Sequence, residues 1–300
     1  MTIIETLKWA SEKLKHESKD PSDSSILDAQ ILLAAVLKTP TSKLFLNFNN
    51  QLKDEDLEKF RQFIKRRLNR EPIAYIVGEK EFYKRKFFVN PHTLIPRPAT
   101  ETLVEAAIKI AKQDKKQILF TDIGTGSGAI AITLAAETKL PVIAVDIDPT
   151  TLAVARKNAV DNQVEDLIDL RLGSLLAPLV KIFETLKKTN ETPFDHLIVC
   201  ANLPYLATEQ WKKTAPDVYL FEPKLALEAG ADGLDLYWQL LRDLKKNREL
   251  FPFQLSLLIE IGPDQKEKTA AIIKRNFPDF KIIVLKDLDG FERVVVATDK

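Results

Sequence analysis

Every residue of the run Asn202-Leu203-Pro204-Tyr205 has a chemical use. Asn202 can offer a side-chain oxygen and Leu203 a backbone carbonyl, two acceptors able to hold both N–H protons of a planar amide or exocyclic amine. Pro204 stiffens the turn, and Tyr205 can lay its ring on the planar group. The lone pair of such a nitrogen is delocalised, so the nitrogen must be oriented and the charge developing on it stabilised. Transfer of a methyl group to nitrogen suits these residues and needs neither a metal nor a strong base. Alone, the run is also a common strand ending, an Asn-x-Pro turn with a half-buried tyrosine.

A second pattern lies upstream. Gly124-Thr125-Gly126-Ser127-Gly128-Ala129 directly follows the apolar run 118–122 and leads into an apolar helical stretch, 130–136. Glycines let the backbone turn tightly and approach a ligand, with a helix N-terminus facing it. A carboxylate about 20 residues on, closing the next strand, would hydrogen-bond a ribose. Asp146 closes Val142-Ile143-Ala144-Val145-Asp146 and meets that requirement, while Asp148 is the expected N-cap of a helix from Pro149. The loop fits Gly-x-Gly-x-Gly and equally Gly-x-Gly-x-x-Ala, so by itself it leaves a nicotinamide cofactor open. The tetrapeptide favours methyl transfer over hydride transfer.

The elements that must position these groups follow from periodicity. Residues 1–71 read as helices: Ile3, Leu7, Ala10 and Leu14 keep helical spacing, 26–37 is richly apolar, and 54–68 repeats the pattern. Pro21-Ser22-Asp23 and Thr39-Pro40-Thr41 separate them, with Ser24 or Ser25 as an N-cap. Residues 72–98 read as a β-hairpin linker, with Tyr75-Ile76-Val77, a turn at Gly78, Phe82-Tyr83 and Phe87-Phe88-Val89, then the rigid Ile95-Pro96-Arg97-Pro98. Arg97, held extended between two prolines, can be aimed at a ligand. From residue 99 to 300 strands at 118–122, 142–146, 168–172, 195–200, 254–261 and 282–285 alternate with helical patterns. The expected fold is α/β, a doubly wound, mostly parallel seven-stranded sheet with a small N-terminal helical bundle. The last strand, 293–298, has no helix before it and is expected to enter antiparallel.

Composition narrows the partners. The formal net charge is +1, so no global field draws the chain to nucleic acid or an anionic membrane. Direct nucleic-acid binding and membrane association are not expected. Cys200 is the single cysteine, which excludes an intramolecular disulfide and fits a reducing, cytoplasmic setting. No basic leader or long apolar run targets the chain elsewhere, and a monomer is expected. His16, His92 and His196 share no ligand spacing, so no metal site is expected.

The chain resembles the HemK/PrmC-type release-factor glutamine N5-methyltransferases over nearly its whole length. Matching stretches are Leu94-Ile95-Pro96-Arg97-Pro98 with Thr100-Glu101, residues 122–132, Asn202 to Tyr205, Glu222-Pro223-Lys224-Leu225-Ala226-Leu227, Asp232-Gly233-Leu234-Asp235, and Glu260-Ile261-Gly262 with Gln265. The resemblance implies methyl transfer from S-adenosylmethionine to the glutamine amide of the Gly-Gly-Gln motif of peptide chain release factors. It implies that Gly124, Thr125, Gly126, Ser127 and Gly128 hold the methionine moiety, Asp146 the ribose, and the loop at Ser174 and Leu175 the adenine. It makes residues 1–71 a docking domain for the release factor, residues 72–98 a linker and residues 99–300 the methyltransferase domain.

Three residues depart from the family pattern: Leu203 where a proline is usual, Ala99 where a glutamate is, and Ser174 where an aspartate is. Asn-Leu-Pro-Tyr is typical of ribosomal RNA adenine N6-dimethyltransferases, which keeps an adenine N6-methyltransferase of RNA or DNA as an alternative. A non-catalytic cofactor-binding module of the translation machinery is another. Residues 176–193 look longer than usual, with added helix at 179–188. Among single residues, Cys200 reads as a buried inert thiol and His196 as lacking a triad partner at any diagnostic spacing. Trp9 and Trp238 read as packing residues and Trp211 as packing or rimming the cleft. Glu222 reads as a brace for the active-site loop or a surface ion pair. Arg61, Lys65, Arg66, Arg67 and Arg70 read as a solvated helix face or a docking patch.

Overall fold

The N-terminal helices stop where their sequences cease to support them. In the computed structural model, which describes residues 1–17, 24–191, 193–252 and 254–299, they are α1 (Ile3–Glu17), α2 (Ser25–Val36), α3 (Thr41–Leu46), α4 (Asp54–Leu68) and α5 (Ile73–Val77). The expected break at Pro21-Ser22-Asp23 lies outside the described residues. Ser24 takes the N-cap position of α2 without a capping side-chain bond. In α4, Asp54, Glu55 and Asp56 in the first turn and Lys65, Arg66 and Arg67 in the last complement the helix dipole. Ile3, Ala10, Leu32, Leu33, Phe60 and Ile64 form the core of this unit, with Trp9 edge-on to Phe60 at 6.4 Å.

One element differs from expectation. Tyr75-Ile76-Val77, aromatic and β-branched, lies in helix α5 rather than in the hairpin. Pro72 precedes the helix and Gly78, at φ +79°, ends it, while Ile76 joins the helical core. Burial overrides the weak strand preference of three residues. The chain divides into two compact units: Met1–Glu79 with Ala215–Phe221, and the remainder.

The larger unit begins with the hairpin β1 (Glu79–Phe82) and β2 (Arg85–Phe88). The elements α6 (Glu101–Gln113), β3 (Ile118–Ile123), α7 (Ala129–Thr138), β4 (Val142–Asp146), α8 (Pro149–Asp161), β5 (Ile168–Leu172), α9 (Ala177–Lys188) and β6 (His196–Ala201) follow. Then come α10 (Thr208–Trp211), α11 (Pro216–Phe221, grouped with the helical unit), α12 (Asp235–Lys246), β7 (Gln254–Glu260), α13 (Lys266–Asn276), β8 (Lys281–Lys286) and β9 (Glu292–Thr298).

The seven strands are ordered β5-β4-β3-β6-β7-β9-β8, parallel except for β9, which runs antiparallel to both neighbours. Alternation along the strands builds a core on each face. Leu119 and Ile123 of β3 join Leu197, Val199 and Ala201 of β6 on one side, while Ile118 and Phe120 join Ile198 and Cys200 on the other. Strand order reverses between β3 and β6, and ligands of open α/β sheets bind beyond the strand ends at such a switch. α9, two residues longer at its start than expected, packs Leu179 and Phe183 into the first core. Asn158 of α8 ties the hairpin to the switch point. Its side chain bonds Phe88 N at 2.7 Å, Phe88 O at 2.9 Å and Ser127 O at 2.8 Å.

Candidate active site

The glycine loop after β3 is held open by positive backbone angles. Gly124, Gly126 and Gly128 have φ of +75°, +58° and +82°, and Gly128 is the N-cap of α7. A Cβ on Gly124 would lie 2.9 Å from Leu203 Cδ2, so the loop and the tetrapeptide are in van der Waals contact there. A Cβ on Gly126 would meet no atom within 4 Å, which leaves its backbone facing the cleft. Beneath the loop, the Thr125 hydroxyl donates to Asp122 Oδ2 at 2.6 Å and Ala131 N donates to the same oxygen at 3.2 Å. Burial, reinforced by the Asp146 charge, raises the Asp122 carboxyl to about 7.

Asp146 ends β4 as expected. Its Oδ2 accepts from Gly126 N at 2.9 Å and its Oδ1 from Asp148 N at 3.1 Å, while burial raises its carboxyl above the usual range. Asp148 caps α8, accepting from Thr150 N at 2.7 Å.

The tetrapeptide follows β6. Asn202 Nδ2 donates to Thr100 Oγ1 at 3.1 Å, and no described residue occupies Asn202 Oδ1. Leu203 is buried, and its N–H donates to the Tyr237 hydroxyl at 3.1 Å. That hydroxyl donates to Glu260 O at 2.5 Å and lies 3.4 Å from Leu203 O. One proton serves one close acceptor, so the Leu203 carbonyl keeps its capacity for another donor. A proline here would have no N–H. The Tyr237 hydroxyl therefore supplies by tertiary contact a restraint that proline supplies covalently. Tyr205 O accepts from Gln265 Nε2 at 2.8 Å, and the Tyr205 hydroxyl donates to Glu260 Oε1 at 3.3 Å.

Arg97, Gly124, Thr125, Gly126, Ser127, Asp146, Ser174, Leu175, Asn202, Leu203 and Pro204 line one cleft. Of the residues singled out from sequence, Gly128 and Tyr205 do not line it: the first caps α7 and the second is turned towards Glu260. Arg97 is ion-paired to Glu222, whose Oε2 also accepts from Ile95 N at 3.1 Å. Glu222 is buried, so it braces the 95–97 segment and is not a surface pair. Trp211 stays outside the cleft lining, under Lys224 Nζ at 4.7 Å. An open glycine backbone, a carboxylate and the apolar side chains of Ile123, Val145, Ile147 and Leu175 in one cleft fit an adenosine-bearing, amino-acid-tailed cofactor.

Two expectations need correction. His196 does have triad-like partners: Asp114 Oδ2 lies 2.7 Å from Nδ1 and Ser256 Oγ 2.8 Å from Nε2. Ser256 and His196 are fully buried at the start of their strands, and burial lowers the imidazole's pKa, so the cluster is structural. The basic run on and after α4 is solvated in part: Arg61 and Lys65 are exposed, whereas three of its arginines are committed to carboxylates. Arg67 is buried against Asp28 at 2.8 Å, Arg66 pairs with Glu71 at 2.5 Å, and Arg70 pairs with Asp217 at 3.3 Å. Sequence reasoning also assigned no role to Thr100, Tyr237, Glu260 and Gln265. Three of these lie in stretches that carried the family resemblance, whereas nothing in the sequence marked Tyr237.

The sheet order, the antiparallel last strand, the glycine loop after β3 and the Asn-Leu-Pro-Tyr turn after β6 define a class I S-adenosylmethionine-dependent methyltransferase. The fold is shared with the catalytic domain of hMettl16 in complex with MAT2A 3′UTR hairpin 6, at a TM-score of 0.51 and 15% identity over 83% of this chain and 82% of that one. Residues 5–78 match the PrmC N-terminal domain, and residues 98–203 match the ribosomal protein L11 methyltransferase (PrmA) family. A release factor glutamine methyltransferase of Bacillus anthracis is 35% identical over 300 residues, 99% of each chain. That of Bacillus subtilis is 32% identical over 301 residues, covering 99% of this chain and 97% of its own. The chain belongs to the release factor glutamine methyltransferase family. Among the described residues no helix is long and apolar enough to cross a membrane.

Proposed function

We propose that this cleft methylates the side-chain amide nitrogen of the Gly-Gly-Gln glutamine of a peptide chain release factor. The observation that carries the reading is the pair of uncommitted acceptors, Asn202 Oδ1 and Leu203 O, on a turn touching the glycine loop. S-adenosylmethionine, when bound, supplies an electrophilic methyl group on a sulfonium. The two acceptors take the amide N–H protons and so orient the nitrogen. They would stabilise the positive charge that grows on nitrogen during methyl transfer until one amide proton leaves to solvent. Asp146 serves the ribose hydroxyls, the backbone of 124–128 the methionine end, and Ser174 with Leu175 the adenine. Arg97, steadied by Glu222, carries positive charge into the cleft for the cofactor carboxylate.

The helical unit docks the release factor in this reading. Its exposed Ile26, Leu27, Phe45 and Leu46 offer apolar contacts, whereas Arg66, Arg67 and Arg70 are paired within the unit.

Labelled S-adenosylmethionine with a release factor tests the assignment. Label should enter the intact factor and not one carrying Gly-Gly-Ala; equal labelling of both overturns it. Asn202→Ala should lower kcat by about 10²-fold, the usual cost of one transition-state contact.

A further inference from the structure

Thr100, Asn202, Tyr205 and Glu260 meet at the C-terminal end of β7. A primary amide is nearly symmetric in shape but not in function: turned one way it offers substrate an acceptor, turned the other way two donors. Asn202 Nδ2 donates to Thr100 Oγ1 at 3.1 Å. Threonine carries a single hydroxyl proton, and while its oxygen accepts from Asn202 that proton is available to another acceptor. The carboxyl of Glu260 has an oxygen in need of such a donor. Its side chain is buried, Oε1 takes the Tyr205 hydroxyl at 3.3 Å, and Oε2 is sealed from solvent with no hydrogen-bond partner among the described residues. Of the neighbours that favour the ionised carboxyl, Thr100 is the strongest, ahead of Arg293, Tyr205 and Asn202.

We propose that Glu260 and Thr100 are positioning residues for methyl transfer: the carboxylate draws the Thr100 proton, the Thr100 oxygen then accepts from Asn202 Nδ2, and Asn202 is held with Oδ1 towards the nitrogen to be methylated. This rests on the reading of Asn202 as an acceptor. The opposite turn of the amide would commit the Thr100 proton to Asn202 Oδ1, deny it to the orphaned Glu260 oxygen and set N–H against N–H at the substrate, and these are unfavourable.

Protonation reverses the relay. A neutral Glu260 donates to Thr100, whose own proton then goes to Asn202 Oδ1 and occupies it. Burial raises the Glu260 carboxyl to about 7. The groups facing it are the Tyr205 hydroxyl, the Tyr237 hydroxyl of α12 and the Arg293 cation of β9. Burial pushes both tyrosines above their usual range. Glu260 is therefore the group of this cluster that titrates near neutrality.

The test is steady-state methylation of a release factor by the intact protein, with cofactor affinity measured alongside by calorimetry. Thr100→Val should lower kcat by about tenfold or more and Thr100→Ser by less than about threefold. Asn202→Asp presents an oxygen whichever way it turns, so adding Thr100→Val to it should cost less than about twofold. Wild-type kcat should fall below pH about 7, and Glu260→Gln, which accepts the Thr100 proton without titrating, should lose that limb. Equal Thr100→Val effects in both backgrounds, or an acid limb surviving Glu260→Gln, overturn the relay. If Asn202→Ala is impaired while the cycle is additive, the relay alone falls; if Asn202→Ala keeps full kcat, the acceptor reading falls with it. Should Thr100→Val not fold, the pH profile of Glu260→Gln decides.

Discussion

Tyr237 does the most for the site with the least warning in the sequence. It is fully buried, and its hydroxyl joins the N–H of Leu203 to the carbonyl of Glu260. Tyr237→Phe keeps the ring packing and removes that link, leaving a buried N–H and a buried carbonyl unpaired. The expected cost is about 2 kcal/mol in urea denaturation, since orphaned polar groups lose their full desolvation cost. Turnover should fall with it while cofactor affinity changes little, because the hydroxyl restrains the methyl-accepting turn rather than the glycine loop. Asp146→Ala should show the reverse pattern, weaker cofactor binding by calorimetry with the turn intact. The departure of Leu203 from the family's usual proline thus has a local compensation, whereas the described residues offer no comparable partner for Ala99 or Ser174.

At the scale of elements, each helix and strand end that matters is secured by something from elsewhere in its unit. Gly233 shows how close these approaches are: at φ +76°, a Cβ there would lie 2.1 Å from Tyr205 O, the carbonyl that Gln265 also holds. Backbone cannot yield as a flexible side chain would. Gly233→Ala should therefore displace the loop after β6 and lower kcat by well over about tenfold, a loss in the range of a misplaced reacting group. A cofactor affinity and kcat both equal to wild type would show that the loop tolerates the methyl. In the helical unit, the Arg67–Asp28 pair joins α4 to α2 in a buried setting. Asp28→Ala should destabilise that unit by about 3 kcal/mol, because it removes the close carboxylate of a buried guanidinium and leaves Asp217 at 3.9 Å.

For the whole molecule, the pH dependence of stability carries the mark of two buried carboxyls. Asp122 and Glu260 have folded-state values raised by burial to about 7, well above those of free carboxyls. Between the unfolded and folded values the folded state binds more protons than the unfolded one, so stability falls as pH rises through that window and levels off above about 7. The summed loss should be on the order of a few kcal/mol, read as a lower urea midpoint at pH 8 than at pH 5.5, and Asp122→Asn with Glu260→Gln should flatten the curve. A midpoint rising steadily over this range would contradict the assignment. Asp114, Asp148 and Asp287, held below the usual carboxylate range by hydrogen bonds, act in a more acidic window and in the opposite sense.

Local chemistry determined much of this protein before any folding was considered. The apolar runs of the sheet, the glycines with an acid one strand later, the Asn-x-Pro-Tyr turn and the antiparallel last strand are all short-range patterns. Each can be read because residues near in sequence share one element. Tertiary packing decided what depends on distant residues meeting. It made Tyr75-Ile76-Val77 helical, gave His196 its Asp114 and Ser256 partners, and drew Arg67 of α4 inward. It also placed Thr100, Tyr237, Glu260 and Gln265 around the methyl-accepting turn. Hydrogen bonds between residues 23 to 102 positions apart leave no spacing to recognise, so only the fold reveals which polar groups hold the reactive ones in place.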